Sequence, residues 1–303
     1  MNKYETYYPR PLLKRDSFFS LNGRWKLNQK DIEIPFPPES QLSGYQGGLG
    51  ELNYQKIFSL PDDFVRRGDK VILHFGAVDQ ICDVFLNDQF LLHHEGGYLP
   101  FSIDITAYLK DENELTVQAK DELDLFYPYG KQSKDPKGMW YTPVSGIWQS
   151  VWIEAYDQKG IDDLKIESFS DHVVLHIDSQ SDSFTITFEG SRKTYHEKDI
   201  RIDISKAHLW DIEDPYLYRF TISTQKDEVS SYFALRDVQV RKVNGYQRFY
   251  LNGRPVFING LLDQGYFKKG IFLPEGPEGY EEDILNIKAL GFNCLRKHIK
   301  IEP

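Results

Sequence analysis

Only two cysteines, Cys82 and Cys294, occur in 303 residues, and no metal-ligand spacing surrounds either. Both stand among apolar neighbours, which predicts buried thiols and argues against a disulfide. Long apolar runs are missing too. No stretch approaches the roughly 18–20 residues that cross a bilayer, and the segment from Met1 to Tyr8 lacks the apolar core of a secretory signal. These absences predict a cytoplasmic protein with no membrane partner. A basic excess is also lacking: Lys+Arg 36 against Asp+Glu 46 leaves a formal charge of −10. Nucleic acid is therefore not an expected partner, because its phosphates select basic surfaces. Phosphate-cradling loops are absent, since the glycines between Gly44 and Gly50 and the pair Gly96-Gly97 lack a strand-to-helix setting. His93 and His94, adjacent on a strand, point to opposite faces and make no metal pair. Asn113-Glu114 reads as a solvated hairpin tip. No Ser/His/Asp or Cys/His set can be assembled.

What the chain does have is aromatic residues, 15% of the total, and period-two alternation over most of its length. Val71, Leu73 and Phe75 alternate with Ile72 and His74; Leu115, Val117 and Ala119 alternate with Thr116 and Gln118; Val151 and Ile153 alternate with Trp152. Short strands at this spacing, with turn signals between them, predict a first all-β domain over residues 1–157. Asp62 to Arg67 alone hints at a helical turn. Further alternating runs, ending with Leu217 to Ser223 and Tyr232 to Val240, predict a small immunoglobulin-like sandwich over residues 158–241. The remainder, residues 242–303, changes character. Asn252-Gly253 signals a hairpin, Val256 to Leu262 reads as a strand, and Tyr280, Ile284, Ile287 and Leu290 fall on one helical face, with Gly291 placed to cap it. Asn293 to Ile301 reads as a second strand. A strand–helix–strand unit implies parallel pairing, and parallel sheets need both faces covered. Two strands cannot supply that cover.

Two places point to chemistry. Between Asp121 and Gly146 the alternation stops for some 25 residues, far beyond the usual loop of about 4–6, and Tyr127, Tyr129, Trp140 and Tyr141 stand there among lysines. Flat rings on such a loop can stack on a sugar; equally, they can cap the sandwich or pack on the next domain. Arg296 and His298 share a strand face with Cys294, and burying them unpaired would cost several kcal/mol. Asp263 and Gln264 stand at the C-terminal end of the preceding strand, the end at which barrel sites form. These four residues either serve a site or form an inter-domain ion cluster.

At these residues the chain resembles glycoside hydrolase family 2, the family of β-galactosidases, β-glucuronidases and β-mannosidases. The likeness rests on HFGAVDQICDVFLNDQFLLHHEGGYLPFSIDIT and GMWYTPVSGIWQSVWIE in the first domain, and on LWDIEDPYLY and FALR in the second. In the third it rests on LNGRPVFINGLLDQGY and GFNCLRKHIKIEP. The resemblance implies a mainly β chain: a jelly-roll sugar-binding domain, an immunoglobulin-like sandwich and an incomplete (β/α)8 barrel start. It implies retaining hydrolysis of a terminal β-glycoside, a β-galactoside first among them, by two glutamates about 5–5.5 Å apart. Both are expected beyond Pro303, so these residues should carry no catalytic group and hydrolyse nothing alone. Arg296 matches the pocket-floor arginine, and Asp263, Gln264 and His298 match residues that line it. Where some members carry an acidic residue before Met-Trp, this chain has Gly138, and Asp135 is the nearest carboxylate; Trp140 and Tyr141 complete the expected binding set. The expected partner is a carbohydrate, with a homo-oligomer left open. No cofactor is expected in these residues, and a divalent metal in the parent stays open. The alternatives are a non-catalytic carbohydrate-binding module and a purely structural or oligomerising pair of domains. The third segment is expected to be ordered by docking its apolar strands, with Gly265 to Gly279 as its most mobile part.

Overall fold

Strict alternation along Asn113–Asp121 buries Leu115, Val117 and Ala119 and exposes Glu114 and Gln118, because successive side chains of a strand face opposite sides of a sheet. In the computed structural model, which describes residues 2–65 and 70–300, this strand lies inside a six-stranded antiparallel sheet. Its spatial order is Lys30–Ile34, Gly23–Leu27, Gly50–Phe58, Asn113–Asp121, Ile81–Leu86, Gln89–Glu95. A four-stranded sheet packs against it, ordered Phe18–Ser20, Val151–Tyr156, Lys70–Phe75, Phe101–Asp104. Trp25, Tyr54, Leu73, Phe75, Val84, Val117 and Ile153 fill the space between them. This is the jelly roll. The helical turn runs Asp62–Val65; Arg66 and Arg67 lie outside the described residues. Asn113 is not solvated: it is buried, and its amide group bonds the backbone of Lys110 and the side chain of Asn87.

The second domain is immunoglobulin-like, a three-stranded sheet (Ile161–Ser168, His172–Ser179, Asp199–Asp203) on a four-stranded one (Ser191–Tyr195, Phe184–Phe188, Tyr218–Ser223, Glu228–Phe233). The expected strand from Tyr232 to Val240 is in fact two. The chain leaves the sandwich after Phe233, and Val238–Val243 opens a separate three-stranded meander with Tyr246–Leu251 and Arg254–Val256. Asn252 (φ 50°) and Gly253 (φ 75°) make its second turn, as the Asn-Gly pair predicts. The Asn252 amide also donates to Trp210 O and accepts from Asp237 N, at 3.0 Å each, and so fastens the meander to the sandwich. A Cβ on Gly253 would meet nothing within 4 Å, so Gly253→Ala tests the backbone alone. It should cost about 1 kcal/mol in urea unfolding, the penalty of a left-handed conformation.

The expected strand over Val256 to Leu262 breaks likewise. Only Gly260–Asp263 pairs, in parallel, with Cys294–Lys297 across the helix Glu278–Ala289; Ile301 lies outside the described residues. The helix ends as the sequence predicts. Phe292 N bonds Ile287 O (3.3 Å) and Gly291 N bonds Lys288 O (3.0 Å), with Gly291 left-handed. Docking, however, does not run through the strands. Leu261 and Leu262 are exposed, as are Ile284 and Leu285 on the helix. The link from strand to helix docks instead: Phe272 and Leu273 are each 1% exposed, Phe272 against Trp148, Tyr98 and Val144, Leu273 against Tyr4 and Phe36. Much of the stretch expected to be most mobile is therefore packed.

Residues 2–20 form a strap that the alternation pattern does not reveal. Tyr4 donates to Pro274 O (3.2 Å), Leu13 enters the second core, and Lys14 pairs with Ser230. Arg15, 3% exposed, joins both sandwiches: it meets Glu154 at 2.8 Å, Asp227 through two bonds of 3.1 and 3.0 Å, and the carbonyl of Ile161.

Candidate functional site

The parallel strand pair ends at Asp263 and Lys297, and the long loop of the first domain closes on that end. Gly130 approaches so near that a Cβ there would run into the side chain of Ile299, and its φ of 64° is one that glycine adopts freely. The Tyr141 hydroxyl donates to Gln264 Oε1, and the Tyr141 ring stacks on Tyr266 at 4.8 Å. Between these points Gln132, 2% exposed, holds the loop in shape. Its Oε1 accepts from Val144 N (2.5 Å), and its Nε2 donates to the Tyr98 hydroxyl (3.4 Å). From the other side, buried Lys300 donates to the carbonyls of Gly265 and Phe272 at 2.6 Å each and lies over the Phe272 ring.

Of the expected residues, the structure brings Tyr141, Gln264, Arg296 and His298 to this end. Arg296 Nη1 donates to His298 Nδ1 at 3.3 Å, which leaves the ring proton of a neutral imidazole on Nε2. Burial, Lys131 and Arg296 together depress the His298 pKa, so the ring favours its neutral form. Asp263 stands elsewhere. Its carboxylate pairs with Lys297 and accepts from Gly265 N (2.8 Å), and this ion pair and that N–H hold it below its usual range against the opposing effect of burial. Asp263, Leu295 and Lys297 line a cavity of about 1170 Å³ between the helix and the four-stranded sheet, whereas Arg296 does not. Strand alternation thus separates Asp263 from Arg296. Asp135 is exposed and paired with Lys137 at 2.7 Å. Trp140 is 46% exposed, one residue from Tyr141.

Three residues of this arrangement, Gln132, Tyr266 and Lys300, were not singled out from the sequence, and a fourth, Lys131, was legible there only as one of the loop lysines. Lys300 acts on two backbone carbonyls, and Gln132 on the Val144 N–H and the Tyr98 hydroxyl, contacts that no residue pattern marks. Tyr266 stood at the end of a quoted motif, and Lys131 stood among the aromatics of the loop. Among the described residues no group of three His, Cys, Asp or Glu could hold a metal ion.

Comparison with known proteins shows what the chain is similar to. Residues 27–143 match the family model described as glycosyl hydrolase 2 galactose-binding domain-like, and residues 155–236 match that of glycosyl hydrolases family 2. A β-galactosidase of Thermoanaerobacter pseudethanolicus is 25% identical over 80% of this chain and 35% of its own length. A β-glucuronidase of Bacteroides fragilis is 23% identical over 91% of this chain and 45% of its own. Among solved structures, a β-glucuronidase from an uncultured Clostridium sp. superposes with a TM-score of 0.79 at 21% identity, covering 96% of this chain and 56% of that one. The chain therefore spans between 35% and 56% of the length of these relatives.

Proposed function

Because the chain belongs to glycoside hydrolase family 2, we propose that it forms one wall of the sugar pocket of a retaining exo-β-glycosidase. The observation that carries this reading is the Tyr141–Gln264 contact. It brings an aromatic loop of the jelly roll onto the C-terminal ends of parallel strands, where (β/α)8 enzymes hold their substrates. Trp140, half-exposed beside that contact, offers a ring face to the C–H face of a sugar. Arg296 and the Nε2–H of His298 offer donors to its hydroxyls.

Retaining hydrolysis needs two carboxylates, one to protonate the leaving oxygen and one to form the glycosyl-enzyme. Asp263, the carboxylate at the end of the first strand, is tied to Lys297 and held in its charged form, which suits neither an acid nor a free nucleophile. In this reading residues 1–303 bind and orient, and the two glutamates come from later barrel strands. The sugar stays at the level of a terminal β-glycoside. The relatives carry β-galactosidase, β-glucuronidase and β-mannosidase names, and the β-galactoside expected from sequence is one of the three.

The purified chain should release no nitrophenol from β-galactoside, β-glucuronide or β-mannoside above a blank, yet should bind monosaccharides in the millimolar range by NMR titration. Trp140→Ala should abolish that binding. Tyr141→Phe should weaken it about fivefold, the worth of one hydrogen bond that orients Gln264. Turnover by this chain would overturn the division of labour, and binding indifferent to Trp140 would overturn the site. A non-catalytic binding module shares this loop, and turnover of these glycosides by a longer chain, completed through the barrel, separates the two readings.

A further inference from the structure

We propose, resting on the sugar-site reading above, that Lys300 is a positioning residue. It pins the link between the first strand and the helix, and so sets Gln264 and Tyr266 against Tyr141. In this role it acts through the backbone and does not itself touch the sugar. Gly265, whose carbonyl accepts from Lys300 at 2.6 Å, stands between Gln264 and Tyr266. The second carbonyl, also at 2.6 Å, is that of Phe272, whose ring packs edge-on against Trp148 of the jelly roll at 4.9 Å. Between those two points the link closes on itself, since Phe267 and Ile271 exchange both backbone bonds, at 2.7 and 3.0 Å. Lys300 thus grips both ends of one closed loop, Gly265 to Phe272. Tyr266 lies inside that loop, stacked on Tyr141 at 4.8 Å and edge-on to Phe272 at 5.2 Å.

An ammonium suits this task because it carries three donors and no acceptor, and so takes two carbonyls at once. The rings of Phe272 and Phe267, centred 5.2 and 5.8 Å from Nζ, shelter it without competing for those donors. Its place comes from a strained turn. Ile299 has a φ of 72°, a left-handed conformation that is a genuine outlier for a β-branched residue. Such strain persists only where the surroundings over-determine it. Here the chain before the turn is tied by His298 N to Asp263 O (3.0 Å), and Lys300 N bonds His298 O (2.9 Å). The Ile299 side chain lies against Gly130. One turn therefore reaches the aromatic loop through Ile299 and the strand-to-helix link through Lys300. The two surfaces that meet at Tyr141 and Gln264 are fixed from a common point, next to His298.

The test uses the 303-residue chain. Lys300→Met keeps the apolar stem and removes the donors, which leaves two buried carbonyls without this partner. Titrated by NMR with galactose, glucuronate and mannose, it should bind about tenfold more weakly than the parent, against about fivefold for Tyr141→Phe. Both changes act through the Tyr141–Gln264 contact, so the double variant should bind no more weakly than Lys300→Met alone. Independent effects would instead multiply. The indole N–H signals of Trp140 and Trp148 give a readout that needs no sugar. Both should shift in Lys300→Met, and Gly253→Ala, destabilised at a distance, should leave both in place. Lys300→Gln, with a single amide donor group on a shorter stem, should fall between the parent and Lys300→Met, and it carries the same test should Lys300→Met not fold. Binding within about twofold of the parent, or multiplied effects in the double variant, overturns the positioning role and leaves the sugar site standing. Failure of every sugar to bind the parent overturns the site itself, and this proposal with it.

Discussion

Replacing Arg15 with methionine should lower the melting temperature of the chain by roughly 10 °C and split its unfolding into two transitions. Arg15 is the cation between two buried carboxylates that belong to different domains: Glu154 on a jelly-roll strand, and Asp227 before the last strand of the second sandwich. Glu154 is fully buried, and its other partners are Tyr8 at 2.5 Å, the Trp152 indole at 3.0 Å, His74 at 3.7 Å and the Arg10 guanidinium at 3.9 Å. Arg10, more distant and partly exposed, compensates Glu154 only weakly and does not reach Asp227. The Arg15 guanidinium also lies 4.0 Å over the Tyr156 ring and donates to Ile161 O, where the second domain begins. Removing one partner of a buried ion pair costs about 3–5 kcal/mol, because the other charge is left in the interior without water. At about 2–4 °C per kcal/mol for a chain of this size, that cost gives the expected shift. The triple variant Arg15→Met, Glu154→Gln, Asp227→Asn should recover most of it, since the loss comes from stranded charge rather than from lost attraction. Calorimetry of the single variant within about 2 °C of the parent, and still showing one transition, would sink the idea that this triad couples the domains.

Nothing in the sequence around Arg15 marks it for that task. Alternation reports which face of a strand turns inward, and so the two sandwiches were legible from runs such as Phe184–Phe188 and Asn113–Asp121. Turn chemistry was legible too, at Asn252-Gly253 and at the Gly291 cap, because those signals are local. A strap that crosses three units has no period, and its contacts reach from Tyr4 to Pro274 and from Arg15 to Asp227. The same limit explains the misplaced strand boundaries. The runs Tyr232 to Val240 and Val256 to Leu262 are continuous in apolar character, but where pairing stops is set by the neighbours available, and those lie far away in sequence.

The site divides along the same line. Spacing put Arg296 and His298 on one strand face, and the structure joins them by a hydrogen bond. Its place at the end of the preceding strand put Asp263 in the set as well, but Asp263 follows Leu262, the register partner of Arg296, and so turns to the opposite face with Lys297. One residue of register decides between pocket and helix layer. Tyr141 was legible as one of several loop aromatics, and its contact with Gln264 was not.

Across mildly acidic pH, Glu39→Gln and His74→Phe should tilt the stability of the chain in opposite directions. Burial pushes the Glu39 carboxyl up to about 7, although it accepts from Ser145 N and Oγ and although nearby Asp121 adds only a smaller push. Its ordinary value is 4.5. The folded state therefore keeps a proton that the unfolded chain releases above that value. The stability due to Glu39 is full below about 4.5 and is lost as pH rises to about 7, roughly 3 kcal/mol in all. His74 behaves in the converse way. Burial outweighs the pull of Glu154 and lowers it from 6.5 to about 4, where it stacks on Trp152. Its contribution is full above 6.5 and is lost as pH falls to about 4, again roughly 3 kcal/mol. Between 4.5 and 6.5 the two slopes oppose, so the parent should conceal both. Asp79 and Asp121, each raised chiefly by burial, add the sign of Glu39 and tip the balance toward lower stability near neutrality. Urea unfolding at several pH values separates the terms. Glu39→Gln should shift the slope upward by about 1.4 kcal/mol per pH unit in that window, and His74→Phe should shift it downward by as much. Parallel pH profiles for the parent and both variants would mean that these groups titrate in the fold as they do in water. The buried position of His74 under the strap, and of Glu39 under Ser145, would then need a source of solvation that their neighbours do not provide.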